Sequence, residues 1–217
     1  MGDTKSSTNA KKYKKRPSWL VHLAGWLPLI ILIAAYLANS LGFNPVEGFL
    51  RWTGRIAVAF LLLSLACTPL HRVFSLPAVY RLRKPLGLYA ALYAGLHFAT
   101  FAIWDYGLDF RLIWGEIQNK PFIVLGLIAL VILLALAATS FRGLRRRWGK
   151  AWVWLHRLVY PAGLLIMLHY LLAVKGDLFS LQGAYAIPLT AAGVLILLLL
   201  LRLPPLHQAL RRLLKQS

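Results

Sequence analysis

Six long apolar stretches constrain this chain more than any other feature of its sequence. They lie near residues 19–38, 54–70, 86–104, 122–140, 151–174 and 184–203. Each has about the 20 residues that an α-helix needs to cross the hydrocarbon core of a bilayer. With 59% hydrophobic residues and a mean hydropathy of +0.66, the chain is also more apolar than a soluble domain needs to be. The sequence therefore predicts an all-α integral membrane protein, folded as a bundle of six transmembrane helices.

The basic residues indicate how the bundle is oriented. They concentrate in alternate connections, at 11–16, 71–85, 141–150 and 202–215, whereas the other connections hold five of the six acidic residues. Because Lys and Arg accumulate on the cytoplasmic side, both termini are predicted to be cytoplasmic. The predicted domains are a basic tail at 1–17, a six-helix domain at 18–204 and a second basic tail at 205–217. The net charge of +19 thus reflects membrane topology, and nucleic acid is not an expected partner.

Three histidines lie inside the apolar spans, namely His97, His156 and His169. An ionisable side chain at membrane depth is costly and usually functional, and neutral imidazole is a common ligand of haem iron. His97 and His169 lie on helices that both run outward, at depths that agree to about one turn. We predict that they form a bis-imidazole pair near the outer face. The alternative is that each histidine only hydrogen-bonds to a neighbouring helix.

His156 lies closer to the cytoplasm than this pair. It precedes His169 by 13 residues, or about 20 Å of helix, which is the separation that two stacked haems would need. The residue at matching depth on the third helix is Arg83, which could pair with a haem propionate, approach the iron or only anchor the helix. His156 and His169 would lie on different faces of an ideal helix, unless Pro161 changes its register.

A series of short motifs resembles one family of membrane proteins. The motifs are, in order, Thr53-Gly54-Arg55, Thr68-Pro69-Leu70, Arg81-Leu82-Arg83-Lys84, Leu96-His97, Leu155-His156-Arg157-Leu158-Val159-Tyr160 and His169-Tyr170. Their order and spacing resemble the haem-binding membrane subunit of the bacterial periplasmic methionine sulfoxide reductase system (the MsrQ, formerly YedZ, family). That family belongs to the ferric-reductase-like transmembrane superfamily. The resemblance covers nearly the whole chain after the basic tail.

This resemblance implies a b-type cytochrome of the bacterial inner membrane that relays electrons and is not itself the catalytic subunit. The implied donor is the quinol pool or a cytosolic flavin reductase. The implied acceptor is a periplasmic molybdopterin-containing methionine sulfoxide reductase, which repairs oxidised periplasmic proteins. The implied cofactors are FMN and haem b, with His97, His156 and His169 as haem ligands. Larger superfamily members have two histidines on each of two helices, and Arg83 stands where the fourth would lie. One or two haems are therefore expected.

Two alternative functions belong to other classes. A ferric or oxygen reductase that works alone would need a nucleotide-binding domain, and the sequence has no Gly-x-Gly-x-x-Gly segment to indicate one. A non-haem transporter or scaffold would use the histidines to line a path or to join helices. A haem absorption spectrum distinguishes this last class from an electron carrier.

Overall fold

The computed structural model of the protein describes residues 19–174 and 185–206, and the predicted basic tails fall almost wholly outside these ranges. Both ranges are helical and contain no strand, which confirms the all-α prediction. The helices are α1 (Trp19–Leu37), α2 (Pro45–Phe74), α3 (Pro77–Ala99), α4 (Phe110–Asn119), α5 (Pro121–Ala138), α6 (Arg142–Trp148), α7 (Lys150–Arg157), α8 (Val159–Ala173) and α9 (Ala186–Leu200). A π-helical turn at Thr100–Asp105 continues α3.

Five stretches of helix in the described residues are long and apolar enough to cross a membrane. They are Trp19–Leu37, Pro45–Phe74, Pro77–Asp105, Pro121–Ala138 and Lys150–Ala173. The sixth predicted span corresponds to α9, which has only 15 residues, or about 22 Å of helix. Many large apolar side chains on all these helices are exposed, as a lipid-facing surface requires. Five spans are thus found, and the sixth crossing stays a prediction.

The second and third spans are longer than their hydropathy predicts. Helix α2 begins nine residues before the predicted boundary at 54, since the Asn44 side chain accepts hydrogen bonds from the backbone N–H groups of Val46 and Glu47. Pro45 occupies the first helical position, where a missing N–H costs nothing. Helix α3 likewise begins with a proline, Pro77. A side-chain cap therefore extends α2, and a proline at the first position begins α3, through polar turns that a hydropathy pattern leaves out.

Two antiparallel helix pairs form the centre of the bundle. Helix α2 packs along α3, α5 packs along α8, and α3 contacts α5. In the first pair, the rings of Phe60 and Tyr93 stack with centroids 5.5 Å apart. The Tyr93 hydroxyl donates to the Gly25 carbonyl over 2.8 Å, which ties α1 to this pair. This packing carries the ends of α3 and α8 to the same end of the bundle.

Two prolines interrupt the hydrogen bonds of their helices with visible consequences. Pro161 has no N–H for the carbonyl four residues before it, and the predicted fifth span is divided at Leu158 into α7 and α8. His156 and His169 therefore lie on separate helices. Pro69 similarly leaves the Leu65 carbonyl without its helical partner, and the Arg202 side chain donates to that carbonyl over 2.7 Å.

Candidate functional site

His97 and His169 meet at one end of the bundle. Their ring centroids are 6.1 Å apart and their planes are nearly perpendicular, at 88°. Both side chains line a cavity of about 510 Å³ between α2, α3, α5 and α8. Two imidazoles that bind one metal ion, each through Nε2 at about 2 Å, place their ring centres about 6 Å apart. The observed separation therefore suits a shared metal ion.

Each of the two rings is held by a backbone carbonyl on the neighbouring helix. The Nδ1 of His97 donates to the Leu50 carbonyl over 2.8 Å, and the Nδ1 of His169 donates to the Phe122 carbonyl over 2.7 Å. A carbonyl only accepts hydrogen bonds, so the proton of each neutral imidazole lies on Nδ1 and the lone pair lies on Nε2. A hydrogen bond of this kind commonly fixes the orientation of a metal-binding histidine.

Glycines make room for both rings. A Cβ added to Gly126 would lie 2.7 Å from the Nδ1 of His169, and one added to Gly54 would lie 3.0 Å from the Nδ1 of His97. Each glycine stands four residues after the carbonyl that binds the ring, and each carbonyl stands 47 residues before its histidine. The two halves of the site therefore repeat one arrangement, although the sequence shows no convincing internal repeat.

Polar groups without partners face the same cavity. The Nε of Arg55 and the hydroxyl of Tyr170 are buried and have no hydrogen-bond partner, although both residues line the cavity. Leaving such a group unsatisfied costs about 1–3 kcal/mol. These atoms indicate that the cavity accommodates a ligand with acceptor groups, such as carboxylates, beside its apolar walls.

Ion pairs surround the mouth of this cavity. Arg51 pairs with Glu47 at 2.8 Å, and Lys120 pairs with Glu116. The hydrogen bond from Lys120 lowers the pKa of the half-buried Glu116 carboxyl below its ordinary value. Arg51 and Lys120 therefore already have carboxylate partners. Arg55 also lines the cavity, and no carboxylate of the described residues pairs with it.

His156 and Arg83 lie elsewhere. The Nε2 of His156 is 3.3 Å from the Thr139 hydroxyl, and its ring stacks on Trp152 with centroids 3.8 Å apart. It does not line the cavity of His97 and His169. Arg83 lines a second cavity at the opposite end of the bundle. Of the four residues predicted from the sequence, the structure thus brings two together.

The arrangement of ligands restricts which metal the site suits. No group of three or more His, Cys, Asp or Glu side chains in residues 19–174 and 185–206 is placed to hold a metal ion. Two imidazoles therefore need a cofactor that supplies the remaining donors, as the macrocycle of a haem does for its iron. A volume of about 510 Å³ lies within the usual range of cofactor sites. Bound between two histidines, such an iron is suited to electron transfer.

Gly126, Arg55 and Tyr170 were not predicted as site residues. A glycine in an apolar helix ordinarily indicates close helix packing, which hides its role beside an imidazole. One signal was present, since Gly54 and Gly126 both precede their histidines by 43 residues. That equality becomes informative only once the two histidines are known to belong to one site.

The sequence of this chain is similar to those of known proteins. A profile for the family described as ferric reductase like transmembrane component matches residues 53–167, which include His97, Gly54 and Gly126 and end two residues before His169. A protein of Rhodospirillum rubrum is 42% identical over 186 residues, which cover 85% of this chain and 86% of that protein. It is described as the heme-binding subunit MsrQ of protein-methionine-sulfoxide reductase.

Proposed function

The chain belongs to the MsrQ family of haem-binding subunits, within the ferric-reductase-like transmembrane components, and on this basis we propose that it is a b-type cytochrome relaying electrons across a membrane. The observation that carries the proposal is the pair His97 and His169, with ring centres 6.1 Å apart and both Nδ1 atoms bound to carbonyls. Both Nε2 lone pairs are thereby left for one iron.

The residues of the cavity that His97 and His169 line fit haem b. His97 and His169 would hold the iron, while Gly54 and Gly126 leave room for their rings. Arg55 and Tyr170 would bind the propionates through the atoms that have no other partner. Bound haem would supply one-electron chemistry, and ligation by two histidines would favour electron transfer over oxygen chemistry. The apolar walls would limit the access of water to the haem, and the carbonyls hold the imidazoles in one tautomer.

The direction of transfer follows from the proposed topology. Six crossings, with α9 as the last, would place both termini and the Arg83 end of the bundle in the cytoplasm of a bacterium. The histidine pair would then lie near the periplasmic face of the inner membrane. Electrons would enter from the quinol pool or a cytosolic flavin reductase and leave to a periplasmic molybdopterin-containing methionine sulfoxide reductase. The catalytic chemistry would belong to that partner, and the membrane chain would support repair of oxidised periplasmic proteins.

The family resemblance also supports a role for His156 and for FMN. His156 and Arg83 remain candidates for a second haem nearer the cytoplasm, although His156 now bonds to Thr139. FMN would be a second type of cofactor on the donor side. The haem site of His97 and His169 needs neither of them, because its residues all lie at the end of the bundle opposite to Arg83.

The test of the proposal is a dithionite-reduced minus oxidised spectrum of the protein purified in detergent, with haem counted per chain. We expect a sharp b-type α-band and at least one haem per chain. Protein expressed with an adequate haem supply that shows no Soret band would overturn the proposal. It would favour a membrane scaffold whose histidines only join helices.

Replacement of Arg55 by leucine should lower the midpoint potential of the haem. A positive charge near the iron favours its reduced form, so we expect a decrease on the order of 50 mV. A spectroelectrochemical titration measures this change. The matched control is Arg51→Leu, because Arg51 is exposed and already paired with Glu47, and its shift should be much smaller. Equal shifts in the two variants would contradict the role of Arg55 at a propionate.

A further inference from the structure

A second cavity, of about 560 Å³, lies at the end of the bundle opposite the histidine pair. It is bounded by the end of α2, the beginning of α3, the beginning of α8 and the segment after α9. Its lining includes three arginines, which are Arg72, Arg83 and Arg202. The first cavity is lined mainly by apolar side chains, whereas this one is lined mainly by polar and basic ones. The two cavities therefore suit ligands of different chemistry.

Buried polar atoms in the second cavity have no partner. Thr68 is only 8% exposed, lines the cavity, and its hydroxyl makes no hydrogen bond. The Nδ1 of His71 and the Nε of Arg202 are also buried and unpartnered. Because buried hydroxyl and guanidinium groups are nearly always satisfied, these atoms point to a ligand that accepts hydrogen bonds.

The charges of this end of the bundle are not balanced. All four acidic residues in the described ranges, Glu47, Asp105, Asp109 and Glu116, lie at the other end of the bundle or in its connections. Arg202 is anchored by the Leu65 carbonyl and the Tyr160 hydroxyl, both of which are neutral. Arg72 is exposed and donates to the Arg202 carbonyl over 3.3 Å, whereas Arg83 and Arg202 are half-buried. Guanidinium groups that share one cavity repel each other unless an anion lies among them.

We propose that this cavity binds the phosphate group of an anionic ligand between Arg83, Arg72 and Arg202, with the Thr68 hydroxyl donating to a phosphate oxygen. Arginine is well matched to phosphate because its planar N–H groups form paired, charge-assisted hydrogen bonds with phosphate oxygens. A basic pocket between transmembrane helices at the cytoplasmic side is also a common site for acidic lipid head groups.

Two sources could supply this phosphate. A soluble phosphate monoester would enter from the aqueous side, and the flavin nucleotide of the proposed function has this group. An acidic phospholipid would enter from the bilayer with its phosphodiester. Only the flavin source rests on the proposed function, because the arginines, the unpartnered hydroxyl and the cavity do not involve the haem site.

The experiment uses the full chain and two kinds of probe. FMN is titrated into protein in neutral detergent and followed by flavin fluorescence, with riboflavin as the matched probe without phosphate. In parallel, the protein is incorporated into nanodiscs of phosphatidylcholine and phosphatidylglycerol, and retained lipid is identified by native mass spectrometry. Each measurement is made on the wild type, Arg83→Gln, Thr68→Val and the control Arg81→Gln. Arg81 is exposed on the same helix and does not line the cavity.

Two results would support the proposal. FMN that binds at least tenfold more tightly than riboflavin, with this preference lost in Arg83→Gln, would identify a phosphate monoester. Selective retention of phosphatidylglycerol that is lost in Arg83→Gln would identify a lipid. In either case Thr68→Val should weaken binding about fivefold and Arg81→Gln should not change it.

Two results would overturn the proposal. One is that no probe binds the wild type, or that each probe binds Arg83→Gln as tightly as it binds the wild type. The other is a parallel loss of haem and probe in Arg83→Gln, which would assign the cavity to a haem carboxylate. The Soret band is recorded on every sample, so failure of haem binding in the wild type is seen separately from failure of phosphate binding.

Discussion

His97→Ala and His169→Ala should each lose at least nine-tenths of the bound haem while the protein still inserts into the membrane. Each substitution removes one imidazole that would hold the iron and leaves a part-buried carbonyl, that of Leu50 or Phe122, without its partner. One remaining imidazole holds the iron by a single bond, and the loss of a buried hydrogen bond alone costs about 1–3 kcal/mol. Haem per chain, measured as the pyridine haemochrome of detergent-purified protein, reports the effect.

The matched control for this prediction is His22→Ala. His22 also lies in an apolar helix and makes its own hydrogen bond, at 2.9 Å to the Tyr89 hydroxyl, but it does not line the cavity. Its replacement should leave the haem content unchanged. His156→Ala extends the comparison. If His156 holds a second haem, the haem content should fall from two per chain to one. Retention of haem in the double variant of His97 and His169 would reject the ligand assignment.

Gly126→Ala should reduce haem occupancy about as severely as loss of a ligand. The new methyl group would lie 2.7 Å from the Nδ1 and 2.8 Å from the Cε1 of His169, closer than non-bonded atoms approach. The ring must therefore move away from the Phe122 carbonyl, which tilts Nε2 out of line with the iron. We expect at least a tenfold loss of haem affinity and a broadened α-band in the fraction that still binds.

Gly95→Ala provides the control for this second prediction. Gly95 lies on the same helix as His97, and a Cβ at that position meets nothing within 4 Å. In both variants alanine raises helix propensity by about 1 kcal/mol, so a loss confined to Gly126→Ala cannot come from a weakened helix. Gly54→Ala, with its closest contact at 3.0 Å, should be intermediate. A wild-type spectrum for Gly126→Ala would show that His169 does not depend on this close approach.

The sequence predicted the meeting of His97 and His169 because depth on a transmembrane helix can be counted from its ends. Positive charges oriented the spans, and 1.5 Å per residue then placed both histidines at one level. Facing direction is harder to predict, because it depends on breaks such as the one that Pro161 produces at Leu158. The connection between the predicted spans 86–104 and 122–140 also contains helix α4, whose capping by the Asp109 side chain is a local signal that hydropathy does not register.

The carbonyl partners of the histidines could not be predicted from the sequence. A backbone carbonyl has no residue-specific signature in the sequence. The packing of α2 on α3 and of α5 on α8 brings the Leu50 and Phe122 carbonyls to the two histidines. The second cavity was also missed as a unit. Arg83 was identified singly from its depth, but Thr68 and Arg202 are separated from it in the chain and resemble ordinary residues near helix ends.

The hydrogen bond from Arg202 to the Leu65 carbonyl has a consequence for the order in which the two cavities of the protein assemble. It joins residues 137 positions apart, and its donor follows the last described long helix. A ribosome synthesises α2, α3, α5 and α8 before it reaches Arg202, and folding during synthesis proceeds from the N-terminal side. The helices that carry the histidine pair are therefore made first, whereas the arginine cavity closes only after α9 and Arg202 have been made.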